Sequence, residues 1–443
     1  MGHATDTIVA PASPPGTGGV GIVRVSGDKV EAIAEVMLGH LPQPRYATFR
    51  TFRDRQGAAI DSGIALYFPA PNSFTGESVL ELHGHGSPVV LAMVVDAAVE
   101  LGARHAEPGE FTQRAFLNDK LDLAQAEAVA DLVASGTAQA ARAALQTLSG
   151  AFSTRVDALA EQLVRLRMHV ETAIDFPEEE IDFLSDAALL ASIDDCRQAF
   201  DALLENASAG RVLRDGYRVV IVGKPNAGKS SLLNRLSGED AAIVTEVAGT
   251  TRDILRERIN IDGLAVELID TAGLRDDPDR IEEEGIRRAR EALKSADAVL
   301  WIQDANESVA ASIDEDIPEG AELIIVRNKI DETGDEPGYV DGMLYLSAKT
   351  GEGITDLHAC IRDAAGYRDL GEGAFTARKR HIDALRRAAA HFETGRAALE
   401  ETKAGELLAE ELRLAQESLG EITGAVSSDD LLGRIFSEFC IGK

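Results

Sequence analysis

Cysteine is scarce. Cys196, Cys360 and Cys440 stand far apart in 443 residues and leave one thiol without a mate, which argues against a disulfide framework or a clustered metal site. Long apolar runs are missing as well: no stretch is long enough to span a bilayer, and no basic-then-apolar leader opens the chain, so the expected compartment is the cytoplasm, with no membrane association. Two lipidation look-alikes fail, because Met1-Gly2 lacks a hydroxyl at position 6 (Asp6) and Cys440-Ile-Gly-Lys443 lacks the usual prenylation ending. Basic charge is in deficit too. There are 44 Lys and Arg against 75 Asp and Glu, a net charge of -31, which opposes close approach to a polyphosphate and makes any RNA contact local or delegated. The densest basic group, Arg378-Lys-Arg-His381 with Arg386 and Arg387, suits a solvated helix face as well as a docking patch.

What remains is an ordinary soluble composition, 45% hydrophobic and 27% charged, long enough for two or three domains. At its centre, Gly223-Lys-Pro-Asn-Ala-Gly-Lys-Ser230 matches the phosphate-loop pattern G-x-x-x-x-G-K-[ST] at every fixed position. An apolar run of strand length, 217–222, precedes it and a helical opening follows from Ser231. Glycines at 223 and 228 allow the tight turn that aims successive N–H groups at phosphates, Lys229 adds a point charge, and Ser230 offers a hydroxyl to Mg²⁺.

The rest of a nucleotide site follows in order. In the segment Thr245-Glu-Val-Ala-Gly-Thr-Thr-Arg-Asp253, Thr251 is expected to complete the Mg²⁺ shell. Two extended runs, 254–261 and 264–269, flank the hairpin signal Asp262-Gly263. They deliver Asp270-Thr-Ala-Gly273, whose aspartate suits Mg²⁺ through water and whose glycine N–H can sense a γ-phosphate. Asn328-Lys-Ile-Asp331 then reads the base. The Asp331 carboxylate can accept from guanine N1–H and the exocyclic amine, which adenine does not offer. Ser347-Ala-Lys349 completes the pocket. The residues expected to contact GTP are thus Asn226, Ala227, Gly228, Lys229, Ser230 and Ser231; Thr245, Glu246, Val247, Ala248, Gly249, Thr250 and Thr251; Asp270, Thr271, Ala272 and Gly273; Asn328, Lys329 and Asp331; and Ser347, Ala348 and Lys349. Leu274 stands where many GTPases carry a water-orienting glutamine, so hydrolysis needs another group. Asp276, Asp277 and Glu282-Glu-Glu284 are candidates that spacing does not separate.

Around this unit the patterns differ. Residues 1–118 mix short β-type runs (7–10, 21–25, 64–68) with helical stretches and glycine-rich turns, which suggests a compact α+β unit. The run 14–21 is rich in turn residues but lacks the phosphate-loop lysine and reads as a shaped loop. Glu81, His83 and His85 alternate and would face one side of a strand; a metal site there is possible in principle, without further ligands at a recognisable spacing. Helical periodicity covers 121–133, 152–174 and 186–209, and resumes at 378–417 and 428–439, the last behind a capping signature at 427–430. A nucleotide domain inserted between two parts of one helical bundle explains this order, because each half-bundle alone would lack partners for its apolar face. The expected class is multidomain α/β and α: an N-terminal α+β domain (1–118), a helical bundle in two parts (119–215 and 376–443) and an inserted Ras-like P-loop α/β G domain (216–375).

These motifs, with Gly249-Thr-Thr-Arg-Asp253, the run Gly109-Glu-Phe-Thr-Gln-Arg-Ala-Phe-Leu-Asn-Asp-Lys-Leu-Asp122 and the terminal Phe439-Cys-Ile-Gly-Lys443, resemble the family of tRNA-modification GTPases called MnmE or TrmE over essentially the whole chain. The resemblance implies a homodimer in which residues 1–118 form an N-terminal folate-binding and dimerisation domain. It also implies a flavoprotein partner, MnmG or GidA, with which it forms a heterotetramer that installs an aminomethyl or carboxymethylaminomethyl group at C5 of the wobble uridine of certain tRNAs, drawing on 5,10-methylenetetrahydrofolate or a related tetrahydrofolate. Carried over where the motifs match, K⁺ falls to Asn226, Thr245, Val247 and Thr250, an electrostatic substitute for an arginine finger. Water positioning falls to Glu282, three residues before Gly285-Ile286. Folate falls to Arg24, Glu81, Lys120 and Lys443, cations for its carboxylated tail and a carboxylate for the donor edge of its pterin. The role of Cys440 stays open between a reactive thiol and a small hydrophobe. A ribosome-assembly switch GTPase would share every nucleotide motif but lack the folate-type N-terminal domain. A self-contained folate-dependent aminomethyltransferase would not need the GTPase insert.

Overall fold

The computed structural model describes residues 6–175, 187–239, 256–270, 293–308, 317–318, 320–367, 373–426, 429–437 and 439–442. The chain forms two compact units, one from Met1–Ala130, Leu148–Leu184 and Ala390–Lys443, the other from Asp131–Thr147 and Ser185–Ala389.

In the first unit, strands β1 (Thr7–Pro11), β2 (Gly18–Ser26), β3 (Thr48–Arg53), β4 (Ala59–Phe68), β5 (Val79–Gly86) and β6 (Ala103–His105) make a sheet of order β3-β4-β5-β2-β1-β6. All its pairings are antiparallel except β1 with β6. Side chains alternate between faces along each strand. One set, including Val23, Val25, Ala65, Leu80 and Leu82, is buried with Ile33, Met37, Val94 and Ala98 of the helices Val30–Leu38 and Pro88–Glu100. The other set, with Arg24, Glu81, His83 and His85, faces away from that core. The run 14–21 is only partly a loop, since β2 starts at Gly18.

The long helices Ala151–Asp175 and Gly405–Thr423 pack on one another in this unit. Phe152, Val156, Leu159, Leu163, Leu166 and Val170 on one, and Leu408, Leu412, Ala415, Leu419 and Ile422 on the other, are all buried. Their alternating steps of four and three residues are a coiled-coil seam. The helix expected over 378–417 is broken: it runs Lys379–Thr402, and Lys403 takes a left-handed φ of 57° before the next begins.

In the second unit, β7 (Tyr217–Gly223), β8 (Arg256–Ile261), β9 (Leu264–Asp270), β10 (Ala298–Asp304), β11 (Glu322–Asn328), β12 (Gly338–Val340) and β13 (Met343–Leu346) give the order β12-β13-β11-β10-β7-β9-β8. The five inner strands run parallel, and β8 and β12 close the edges antiparallel. The two central strands, β7 and β10, are buried on both faces and are nearly continuous apolar runs, whereas β9 and β13 alternate buried with half-buried residues. The hairpin signal Asp262-Gly263 is a turn with φ of 49° and 95°, the geometry that matches strand twist.

Where the chain enters and leaves this sheet, buried polar contacts tie helices together. Asp131 accepts from Arg214 at 2.8 Å and from Arg378 at 2.7 Å. Thr147 and Thr376 hydrogen-bond through their hydroxyls at 3.0 Å. Arg378 and His381 are therefore buried and do not belong to a basic surface.

Candidate functional site

A parallel sheet collects its chemistry at the carboxyl ends of its strands, where the strand order reverses. Here β7 lies between β9 and β10, and the loop leaving β7 turns directly into the helix Lys229–Glu239. Gly223 has φ 149°, and a Cβ there would stand 2.3 Å from the Ile302 carbonyl oxygen; Gly228 has φ 95°, and its Cβ would stand 2.1 Å from Asn328 Nδ2. No side chain fits either place. Asn226 is also left-handed, at φ 64°, so consecutive N–H groups turn into one concave anion nest above a helix N-terminus. The buried Lys229 ammonium donates to the carbonyls of Gly223 and Lys224, both at 2.7 Å, which fixes the charge inside the loop. Ala227 is buried, while Asn226, Ser230 and Ser231 are exposed.

The base-reading elements are joined to this loop through one side chain. Asn328, 2% exposed, donates to the Ala227 carbonyl at 2.9 Å and accepts from the Ala348 N–H at 2.9 Å. It thereby holds the phosphate loop and the 347–349 turn in register. Ser347 donates to Asp331 Oδ1 at 2.7 Å, and Lys349 Nζ lies 3.5 Å from Oδ2. The Ser347 hydroxyl keeps the Asp331 carboxyl below the usual carboxylate range, so it is an acceptor at neutral pH. Lys329, at φ 74°, donates to Asp304 at 2.6 Å. That bond lowers the Asp304 carboxyl and raises the Lys329 ammonium.

Two contributors were missed in the sequence. Asp304 ends β10, and its position at the end of an apolar strand was the available signal. Arg235, on the helix after the phosphate loop, donates to the carbonyls of Ala348 and Lys349 at 3.2 and 2.5 Å; nothing in the motif marks it. Asp270 ends β9 beside Ile221. Thr245, Glu246, Val247, Ala248, Gly249, Thr250, Thr251, Thr271, Ala272, Gly273 and Glu282 lie outside the described residues.

A second cluster forms on the open face of the N-terminal sheet. The register sets Arg24 opposite Glu81, 57 residues apart, with Arg24 Nη2 at 2.8 Å from Glu81 Oε1. Glu81 Oε2 lies 3.2 Å from His83 Nε2. The Arg24 guanidinium stands 5.4 Å from the Phe74 ring and 5.7 Å from the Phe111 ring, a flat apolar and cationic corner. Lys120 is exposed just past the helix Glu110–Leu117, whose end is tied to this corner because Asn118 donates to the Thr75 carbonyl at 2.7 Å. The C-terminal tail also arrives here. A Cβ on Gly442 would stand 2.0 Å from the Pro11 carbonyl oxygen, next to the β1 residue that pairs with Arg24. Lys443 itself lies outside the described residues, and Cys440 is exposed. Among the described residues, no three His, Cys, Asp or Glu side chains group as a metal would require.

Family profiles described as "GTP-binding protein TrmE N-terminus" and "MnmE helical domain" match residues 7–120 and 123–440. A protein called tRNA modification GTPase MnmE, from Pseudomonas syringae pv. tomato, is 54% identical over 456 residues, covering 100% of both chains. The chain belongs to the MnmE family. Solved structures similar to part of it include the G domain of the T. maritima FeoB iron transporter, 25% identical, covering 34% of this chain and 98% of that one with a TM-score of 0.24. The FeoB G domain of Methanococcus jannaschii is 27% identical, covering 34% and 97%, again with a TM-score of 0.24. The MnmE-family match spans both clusters, the phosphate loop and the open sheet face. Among the described residues no helix is long and apolar enough to cross a membrane.

Proposed function

We propose that this chain is a K⁺-dependent GTPase that, as a cytoplasmic homodimer joined by the flavoprotein MnmG, modifies C5 of the wobble uridine of certain tRNAs with a folate-carried one-carbon unit. The observation that carries the nucleotide half is the Asn328 bridge, which ties the phosphate loop at Ala227 to the 347–349 turn, whose Ser347 holds the Asp331 carboxylate. The tRNA half rests on membership of a family whose 54% identical relative bears that function in its name.

Ser230 and Thr251 would hold Mg²⁺, with Asp270 reaching it through water; the ion supplies charge to the β- and γ-phosphates. Asn226, with oxygens of Thr245, Val247 and Thr250, would hold K⁺ against the same phosphates, offsetting charge that builds up as the γ-phosphoryl departs. Glu282 orients the attacking water. In the N-terminal unit, 1–118, Arg24, Lys120 and Lys443 suit the carboxylates of a tetrahydrofolate, and Glu81 its pterin edge. The Arg24–Glu81 pair and the Phe74 ring fit a flat, partly charged ligand.

GTP turnover in K⁺ is expected to exceed that in Na⁺ at equal ionic strength, and Glu282→Ala to lower kcat on the order of 10²-fold with GTP affinity nearly intact. Glu283→Ala and Glu284→Ala are the controls. Equal rates in the two salts remove the cation from the mechanism, and a Glu282→Ala rate equal to its neighbours' moves the water to another group.

A further inference from the structure

The loop that leaves β10 touches both halves of the nucleotide site. Asp304, the last residue of β10, stands opposite Asn328 in the parallel register, and the pairing runs one step further because the Ala305 N–H donates to the Asn328 carbonyl at 2.8 Å. Behind the loop, Arg327 is 5% exposed and donates to the carbonyls of Ala305 and Glu307 at 3.0 and 2.6 Å. Asp304 Oδ1 accepts from the backbone N–H and the side-chain amide of Asn306 at 2.9 and 3.0 Å, and the same amide donates to Glu332 at 2.9 Å. An aspartate that closes such a turn on its own backbone is fixed in place.

Lys224 and Lys329 both end on this loop, with unequal weight. Lys224, in the phosphate loop, reaches Glu307 at 2.9 Å, but the two side chains are 71% and 55% exposed, and a pair so open to water contributes little. Lys329 donates to Asp304 Oδ2 at 2.6 Å, with the two side chains 28% and 18% exposed. Its Cα lies just past the end of β11, at a left-handed φ of 74°, while its ammonium is anchored at the end of β10. The stem is therefore stretched across the carboxyl ends of two neighbouring strands, two residues before Asp331. A free lysine stem samples many rotamers, and a ligand that needs it in one place bears the entropy of ordering it. Glu332 and Glu307 also act on this ammonium by charge, so the bond to Asp304 decides where it rests.

We propose that Asp304 is a positioning residue for the guanine nucleotide: it pins Lys329 so that the stem stands ready as an apolar wall against the purine, and it thereby sets how long the nucleotide stays bound. Lysine stems cover apolar surface while their charge stays wet, and here the wet end has a fixed partner. The proposal rests on the reading of Lys329 as a nucleotide contact and adds to it the group that holds that contact. Asp304 acts on the face of the purine, whereas Asp331 reads its edge, so the two roles are separable.

The test follows dissociation of the fluorescent analogues mant-GDP and mant-IDP from the full chain, chased with excess unlabelled GDP in a stopped-flow instrument. Asp304→Asn keeps Oδ1 for the turn around Asn306 and removes the charge. It is expected to release mant-GDP on the order of tenfold faster than the parent, as the loss of a charge-assisted hydrogen bond does. Mant-IDP, which lacks the exocyclic amine, is accelerated by the same factor, because both purines present the same kind of face. Lys329→Met keeps the length of the stem without its anchor and is expected to match Asp304→Asn, and the double variant to match either single one. Glu307→Gln, on the exposed pair, releases at the parental rate.

A parental rate for Asp304→Asn overturns the proposal. So does an Asp304→Asn effect that persists in the Lys329→Met background, since Asp304 then acts through the turn at Asn306. Unequal factors for the two analogues overturn it by moving the effect to Asp331, and an equal effect of Glu307→Gln overturns it by assigning the change to the general loss of negative charge. Lys329→Met probes the same bond from its other end and decides the matter where Asp304→Asn does not fold. If Lys329→Met releases both analogues at the parental rate, the reading of Lys329 as a nucleotide contact falls and the proposal with it; if it speeds release while a folded Asp304→Asn does not, only the role of Asp304 falls.

Discussion

The two clusters are built by opposite means. In the nucleotide unit the binding surface is backbone, bent by Gly223, Asn226 and Gly228 and locked from behind by the buried amide of Asn328. On the N-terminal sheet the proposed site is side chain: Arg24 pairs with Glu81 across the register and Glu81 with His83 along β5, with side-chain exposures of 21%, 16% and 24%. A backbone nest is rigid and has one occupant class. A row of partly exposed charges is adaptable, and any one member is worth less than a member of the buried nest. The comparison teaches where substitutions should be severe and where mild.

The severest is expected at the base. Asp331→Asn should cost on the order of 10³-fold or more in GTP affinity and admit xanthine nucleotides, because the amide offers a donor to the new purine carbonyl. Competition of GTP and XTP for the purified variant reads this out. Unchanged guanine preference would show that Asp331 does not read the base.

Next is the helical clamp behind the nucleotide sheet. Asp131 serves two arginines, Arg214 and Arg378, and is 8% exposed. Asp131→Asn leaves both cations half-satisfied and should destabilise its unit by about 3 kcal/mol, as breaking a buried pair does. Urea unfolding followed at Trp301, which lies in the same unit, measures it. An unmoved midpoint would mean that the clamp carries no stability.

The smallest effects belong to the open sheet face. Glu81→Gln and Arg24→Ala are expected to change stability by less than about 1 kcal/mol and to leave GTP turnover alone, while each weakens tetrahydrofolate binding roughly tenfold. Calorimetry with the reduced folate, beside a GTPase assay, separates the two. A fall in GTP turnover would break the comparison by showing that the clusters are not independent.

The same contrast explains what could be read without coordinates. Phosphate-loop spacing is set by the turn itself, so Gly223, Gly228 and Lys229 are legible from eight consecutive residues, and Asp331 from four. The strands around them are legible because a buried parallel sheet demands apolar runs. Arg235 was not legible, and Asp304 only as the end of an apolar strand, since both act across loops distant in sequence. On the N-terminal sheet, Arg24 and Glu81 were reached through family resemblance, because cross-strand register depends on the whole sheet and leaves no local spacing. Phe74, one of the rings beside Arg24, carries no motif at all, and Phe111 stands in the 109–122 run without any spacing that points to Arg24. The break at Lys403 did leave a local mark: no apolar residue stands between Leu399 and Ala404, and Gly405 opens the next helix.

The central claim joins both clusters in one reaction on tRNA. The most direct measurement is mass spectrometry of wobble nucleosides from cells lacking this gene, complemented with the parent chain, with Lys229→Ala or with Arg24→Ala. The account expects the 5-substituted uridine to be lost on deletion, restored by the parent, and restored by neither variant, although Arg24→Ala still hydrolyses GTP. Full restoration by Arg24→Ala would contradict it.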